Sequence, residues 1–238
     1  MKVLILNSGM GTRMGVLTKE HPKCMTDISN VDTILSRQLK IIEKNQIVDV
    51  VMTTGYFEDV LKEYCSSLNL NLNITFVKNP LYDSTNYIYS IYCAKDVLDD
   101  DIILMHGDLV FDEAVFKQTL ENSRNCMAVS STTPLPDKDF KAVIDGERVK
   151  KVGIEFFENA VAAQALYKID RKSWKIWLNK ICEFCESDNR KCYAESAFNE
   201  VSDICEINIL DVKDLLCNEV DDSKDLEYVV NKMKQNEL

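Results

Sequence analysis

Five short, nearly unbroken apolar runs constrain the fold more than any other feature: Lys2–Leu6, Val48–Thr53, Ile74–Val77, Ile102–Met105 and Met127–Ser131. Runs of this length without polar alternation suit strands buried on both faces, as in parallel sheets. Helical patterns lie between them. Thr33–Asn45 sets Leu35, Leu39 and Ile42 on one side, and Asn86–Leu98 aligns Tyr87, Ile91, Ala94 and Leu98. This alternation predicts an α/β fold with a doubly wound, mostly parallel, Rossmann-like sheet.

The second half is less regular. Lys141–Asp145 and Glu147–Val152 flank a turn at Asp145-Gly146, the pattern of a hairpin. Helices are expected over Lys172–Glu186, Glu195–Ile204 and Ser223–Glu237, the last with Leu226, Val229, Val230 and Met233 as its apolar stripe. No internal repeat, low-complexity tract or Pro/Gly/Ser-rich linker divides the chain. Residues 1–238 are therefore expected to form one domain. Residues 1–131 would build the body of the sheet, and 132–238 an inserted region over its carboxyl edge, where open α/β sheets bind ligands.

Composition narrows the partners. No run approaches the ~18 apolar residues that span a bilayer, and the opening residues do not read as a secretory signal. A soluble, cytoplasmic protein without a membrane partner is expected. The formal net charge of −11 argues against nucleic acid. It also requires any phosphate-binding site to carry its own cations. Nine cysteines are present, and Cys182 and Cys185 form a CxxC pair. They continue one helical face with Trp174, Trp177, Leu178 and Ile181, which fits packing better than zinc or redox chemistry.

Four short segments carry the chemistry. Leu6-Asn7-Ser8-Gly9-Met10-Gly11-Thr12-Arg13 follows the first apolar run. Its glycines let the backbone approach an anion, and consecutive N–H groups form a phosphate-binding nest. Arg13 adds a planar fork of donors suited to phosphate oxygens. Pro22-Lys23 fixes the backbone behind a second cation. Gly107-Asp108 follows Ile102–Met105, where a carboxylate at a strand's end can hold Mg²⁺. Glu219-Val220-Asp221-Asp222 precedes the last helix, and Asp222 or Ser223 can also cap that helix. His21 and His106 are the two histidines, and neither stands in an evident base-and-orienter pair.

Gly-x-Gly-Thr-Arg after the first strand, followed by Pro-Lys, resembles the signature of the sugar-phosphate and choline-phosphate nucleotidyltransferases. The chain departs at Asn7-Ser8, where that superfamily usually has two alanines. The resemblance implies that Leu6 through Arg13 wrap a nucleoside triphosphate. It implies that Arg13 and Lys23 act at the reacting phosphates, and that Asp108 and Asp221 hold Mg²⁺ with Asp222 as the fallback. Asp83-Ser84-Thr85-Asn86-Tyr87, leading into Ser90, is similar to the base-reading segment of the cytidylyltransferase branch. Gly55-Tyr56 fits its base-side loop. Residues 1–131 thereby become the nucleotide-binding part and 132–238 the acceptor-binding part.

The implied reaction is attack by an acceptor's phosphate or phosphonate oxygen on the α-phosphorus of CTP, releasing pyrophosphate. That oxyanion is already ionised, so no general base is needed. Acceptor choice is expected in Glu155–Asn159, Gln164–Lys168 and Tyr193–Asn199, with Lys168, Tyr193 and Glu195 as binding residues. Aromatic walls around a carboxylate suit an ammonium group. The motif is similar to enzymes acting on 2-aminoethylphosphonate more than on phosphocholine, because Ala197 stands where the latter place an aromatic residue. A sugar-1-phosphate nucleotidyltransferase and a non-catalytic nucleotide-binding regulator are the alternative readings.

Overall fold

The apolar runs pair as buried strands in the computed structural model, which describes residues 1–11, 14–15 and 18–236. They are β1 (Lys2–Leu6), β2 (Asp49–Thr54), β3 (Asn73–Lys78), β4 (Ile102–His106), β5 (Leu109–Phe111) and β6 (Cys126–Ser130). Four further strands follow: β7 (Lys141–Asp145), β8 (Arg148–Gly153), β9 (Ala160–Ile169) and β10 (Asn208–Asp211). With β5 set aside, the other nine form one sheet in the order β3-β2-β1-β4-β9-β6-β10-β8-β7. β5 instead makes a two-stranded antiparallel ribbon with β11 (Cys217–Glu219).

Strands β3, β2, β1 and β4 run parallel, as does the β6–β10 pair. β9, however, enters antiparallel between β4 and β6, and β7–β8 is an antiparallel hairpin. The sheet is therefore mixed, and the expectation of a mostly parallel one is corrected. The cause is β9, whose sequence AVAAQALYKI is rich in alanine and lies in the sheet's interior with Ala162, Ala163 and Ala165 buried. Residues after 132 thus supply four strands to the main sheet as well as the cover over its edge.

Side-chain alternation along β1 explains the two layers. Val3 and Ile5 face a core filled by α1 (Ile34–Lys44), α2 (Glu58–Ser67) and α4 (Glu113–Glu121). Leu4 and Leu6 face the other core, with α3 (Tyr87–Ala94), α5 (Arg171–Glu186) and α6 (Ala194–Val201). A third, smaller cluster packs Val229 and Met233 of α7 (Ser223–Asn236) on Val110, Leu216 and Val220. Helix starts follow local chemistry. Thr33 and Ser36 form a reciprocal capping box on α1, and Asp170 accepts from the Ser173 N–H at α5.

All nine cysteines are free. Cys185 is buried on α5 beside Trp174, Trp177 and Ile181, and burial pushes its thiol up to about 12. It is inert as a nucleophile at neutral pH. No described helix is long and apolar enough to cross a membrane.

Candidate active site

Strands β1 and β4 end side by side, with Leu6 paired to His106, so the loops after both meet at one edge. The β5–β11 ribbon brings the late acidic segment to the same place. Glu219 pairs with Leu109, and the Val220 N–H donates to the Asp108 carbonyl at 3.0 Å. Gln38, fully buried on α1, donates to the carbonyls of His106 (3.0 Å) and Leu109 (2.7 Å), bracing the bend that presents Asp108.

Lys23 lies at the centre. Its ammonium contacts Asp108 Oδ2 and sits 2.5 Å from Asp221 Oδ1. Burial works against the charged lysine, but the two carboxylates outweigh it and raise its pKa. Burial likewise opposes the Asp108 charge, yet Lys23 and His106 hold this carboxyl below its ordinary value. A buried cation between two carboxylates is stable only while all three remain together. Gly11 has φ +63°, and a Cβ there would stand 3.0 Å from that of Lys23, so glycine is needed for the loop to pass the lysine.

A cavity of about 400 Å³ opens over this centre. Its walls include Leu6, Ser8, Gly9, Gly11, Thr85 and Asn86, together with Lys23, Asp108 and Asp221. Tyr87, Phe140, Tyr193, Ile154, His106 and Glu219 also line it, and one ligand atom each of His106, Asp108 and Glu219 lie within 4.8 Å of one another. Behind the loop a buried polar chain runs inward. Ser8 Oγ lies 3.0 Å from Thr53 Oγ1 and 2.7 Å from Ser90 Oγ, and Asn79 Nδ2 donates to Ser90 Oγ and Thr85 Oγ1.

The cavity wall holds a pair that sequence reading missed. His106 Nδ1 lies 2.6 Å from Glu219 Oε1, and the imidazole packs edge-on to Tyr87 at 4.7 Å. Burial disfavours the imidazolium, but Glu219 outweighs it and the pKa is pushed up to about 9. Glu219 itself is pushed up by burial, with Asp108 adding to the effect and His106 opposing it. The partners are joined only through the β5–β11 ribbon, so no local pattern announces them. Phe140, Tyr82, Asn79 and Lys138 also line the cavity unforeseen. For them the sequence carries no signal beyond ordinary loop composition.

Other expected site residues fall outside the cavity. Lys168 is corrected: its ammonium donates to the carbonyls of Leu120 (2.8 Å) and Asn122 (2.6 Å). Because β9 is antiparallel, Lys168 pairs with Ile103 near the start of β4, away from the strand end carrying Asp108. Asp222 is exposed, its Oδ1 accepts from the Lys224 and Asp225 N–H groups at the start of α7, and it does not line the cavity. Glu195 is buried behind the cavity, its oxygens taken by the Tyr87 and Tyr167 hydroxyls, and it positions Tyr87 instead of facing a ligand.

Ala197 is buried in the core and lines nothing, which removes the cage-size argument drawn from it. Tyr56 is 66% exposed, Gly55 packs under the Ser8 carbonyl, and Ser84 and Met10 also lie off the cavity wall. Asn7 lines a small adjoining cleft. Thr12 and Arg13 lie outside the described residues.

A glycine loop, a lysine and two carboxylates thus meet at the edge of a mixed sheet. The chain belongs to the family described as a domain of unknown function, DUF6564, which matches residues 19–153. That match takes in Lys23 and Asp108 and stops short of Asp221. It is similar to a CTP:phosphoglutamine cytidylyltransferase from Campylobacter jejuni, 32% identical over 136 residues, covering 54% of this chain and 51% of the relative. A CMP-5'-(3-aminopropyl)phosphonate synthase from Streptomyces rubellomurinus is 28% identical over 134 residues, covering 56% of this chain and 21% of that protein. The chain spans about half the length, or less, of these curated relatives.

In structure it matches a CTP:phosphocholine cytidylyltransferase from Streptococcus pneumoniae, with TM-score 0.80 and 17% identity over 98% of both chains. These relatives are named as cytidylyltransferases or a CMP-phosphonate synthase, the branch that the loop signature resembles.

Proposed function

We propose that this protein is a Mg²⁺-dependent cytidylyltransferase that transfers CMP from CTP to a small amino-alkyl phosphonate or phosphate, releasing pyrophosphate. The observation that carries the reading is Lys23 held between Asp108 and Asp221, in a cavity lined by a glycine loop and by aromatic side chains.

The residues fit a divalent cation. Asp108 Oδ1 is buried without a hydrogen-bond partner among the described residues, and both carboxylates offer the hard oxygen ligands that Mg²⁺ prefers. Bound there, Mg²⁺ would neutralise charge on the nucleotide's phosphates. The chain's own groups do the rest. The loop N–H groups of Gly9 and Gly11 cradle the phosphates, and Lys23 turns from the carboxylates to the charge that develops at the α-phosphorus. Arg13 is proposed to add a second cation. The Thr85–Asn86 segment faces the nucleoside, and the Ser8–Ser90–Asn79 chain holds it against the loop.

The acceptor's oxyanion needs no deprotonation, so catalysis rests on alignment and charge. Tyr87, Tyr193 and Phe140 with Glu219 present aromatic faces and a carboxylate to the acceptor's far end, which suits an ammonium group. Relatives named for phosphoglutamine and aminopropylphosphonate support a phosphoryl acceptor of this kind. Within it, 2-aminoethylphosphonate and phosphocholine are the first acceptors to compare, and with Ala197 buried in the core their order falls to the experiment.

The test is a panel. With CTP and MgCl₂, pyrophosphate release is measured for 2-aminoethylphosphonate, phosphocholine, phosphoethanolamine and glucose-1-phosphate, each alone. Fastest release with an amino-bearing acceptor is expected. Preference for the sugar phosphate would replace the acceptor class, and no release with any acceptor would favour a nucleotide-binding regulator.

A further inference from the structure

Beneath the phosphate loop lies a second, smaller space of about 70 Å³, bounded by Asn7, Gly9, Gly11, Lys23, Gly107 and Asp108. It is room enough for one or two waters, provided polar groups face it. Among the polar side chains that line it, those of Asn7 and Asp108 are unusual. Asn7 is nine-tenths buried, yet its Nδ2 has no hydrogen-bond partner among the described residues. Asp108 Oδ1 is orphaned in the same way, while its other oxygen contacts Lys23.

An unsatisfied buried amide costs about 1–3 kcal/mol, and alanine at this position would avoid that cost. The backbone is arranged to keep the asparagine. A Cβ on Gly107 would fall 1.6 Å from Asn7 Oδ1, so the carboxamide occupies the space that only a glycine leaves. A hydrogen bond from the Asn7 N–H to Thr53 Oγ1 at 3.2 Å fixes the residue's backbone. The side chain is thus held in place, with its donor left for something the protein itself does not supply.

We propose that Asn7 is a positioning residue for the cation site: its amide N–H donates to one water in this cleft, which donates in turn to Asp108 Oδ1 and so orients the carboxylate that holds the cation. This rests on the reading above that Asp108 holds a divalent cation. Such outer partners orient a ligating carboxylate, and their loss typically weakens metal binding by about 10–100-fold. Thr85 and Asn86, which line the main cavity, do not line this cleft.

The experiment titrates Mn²⁺ into the intact protein with CTP present, following free Mn²⁺ by electron paramagnetic resonance. Asn7→Ala removes the amide, and Asn7→Leu removes it while keeping its bulk, so one variant stands in if the other does not fold. Thermal melting checks both. We expect about ten-fold weaker Mn²⁺ binding in either variant. The half-saturating Mg²⁺ for turnover should rise in parallel, with KM for CTP at saturating Mg²⁺ unchanged. Folded variants that bind Mn²⁺ as tightly as the unaltered protein would overturn the role of Asn7 while leaving the cation site standing. Failure of the unaltered protein to bind Mn²⁺ would overturn the cation site and this role together.

Discussion

His106 Nδ1 and Glu219 Oε1 stand 2.6 Å apart although they lie on separate strands far apart in the sequence. Each is largely shielded, with 13% and 20% of the side chain exposed, and each would be costly to shield alone. His106→Ala is therefore expected to destabilise the fold by about 3 kcal/mol, the cost of stranding a buried carboxylate. Adding Glu219→Gln should recover part of that loss. Urea unfolding of the two single variants and the double variant measures the coupling, and strict additivity would show that the contact contributes nothing.

Lys23→Ala removes the ammonium from between Asp108 and Asp221 and leaves two carboxylates facing each other. Transfer should fall at least about 100-fold, as when a group that meets developing charge is lost. Melting temperature should fall too. Added MgCl₂ should then raise it more than it does in the unaltered protein, because the cation replaces the missing charge. Equal Mg²⁺ effects in both proteins would count against the two carboxylates sharing a metal.

Asp108→Asn keeps the shape of the side chain and removes its charge. Pyrophosphate release should drop below detection while circular dichroism remains that of the folded protein. Undiminished release would remove Asp108 from the cation site.

Gln38→Leu tests the brace behind the site. Two carbonyls, of His106 and Leu109, lose their donor inside the core. The expected cost is about 1–3 kcal/mol, with kcat affected more than KM for CTP, since the bend carries Asp108 and not the nucleoside pocket. A shift in KM alone would contradict that placement.

Asp170 gives a pH-dependent prediction remote from the site. Burial tends to raise its pKa, but hydrogen bonds from Ser173 outweigh this and hold the carboxyl below its ordinary value. A depressed folded pKa contributes stability above the unfolded value of roughly 4, lost as pH falls through the folded one. Asp170→Ala should cost about 1 kcal/mol at pH 7, a typical N-cap value, and the difference should close below pH 4. A gap that persists at pH 2.5 would show that the cap does not act through its charge.

How much of this was legible depends on the range of the interaction. Lys2–Leu6 was readable to the residue because a strand buried on both faces is apolar throughout. β9 was not, since its alanines carry little strand signal and it earns its place only by filling the gap between β4 and β6. β5, β10 and β11 are three or four residues long and exist through their pairing. At the site, Lys23, Asp108 and Asp221 were picked out through the family resemblance, and the fold brings their charged groups together. His106 was passed over because its partner arrives through the ribbon. Lys168 was misplaced because the direction of its strand was unknown, and direction decides which edge a side chain reaches.

The contact between Lys23 and Asp221 spans 198 positions of the chain. A ribosome must therefore make every position between the two before this centre can exist. The glycine loop emerges ahead of Lys23 and Asp108, and all three must wait for the strand that ends at Glu219. Until that strand pairs with β5, the nascent polypeptide carries the loop, the lysine and one carboxylate without the second.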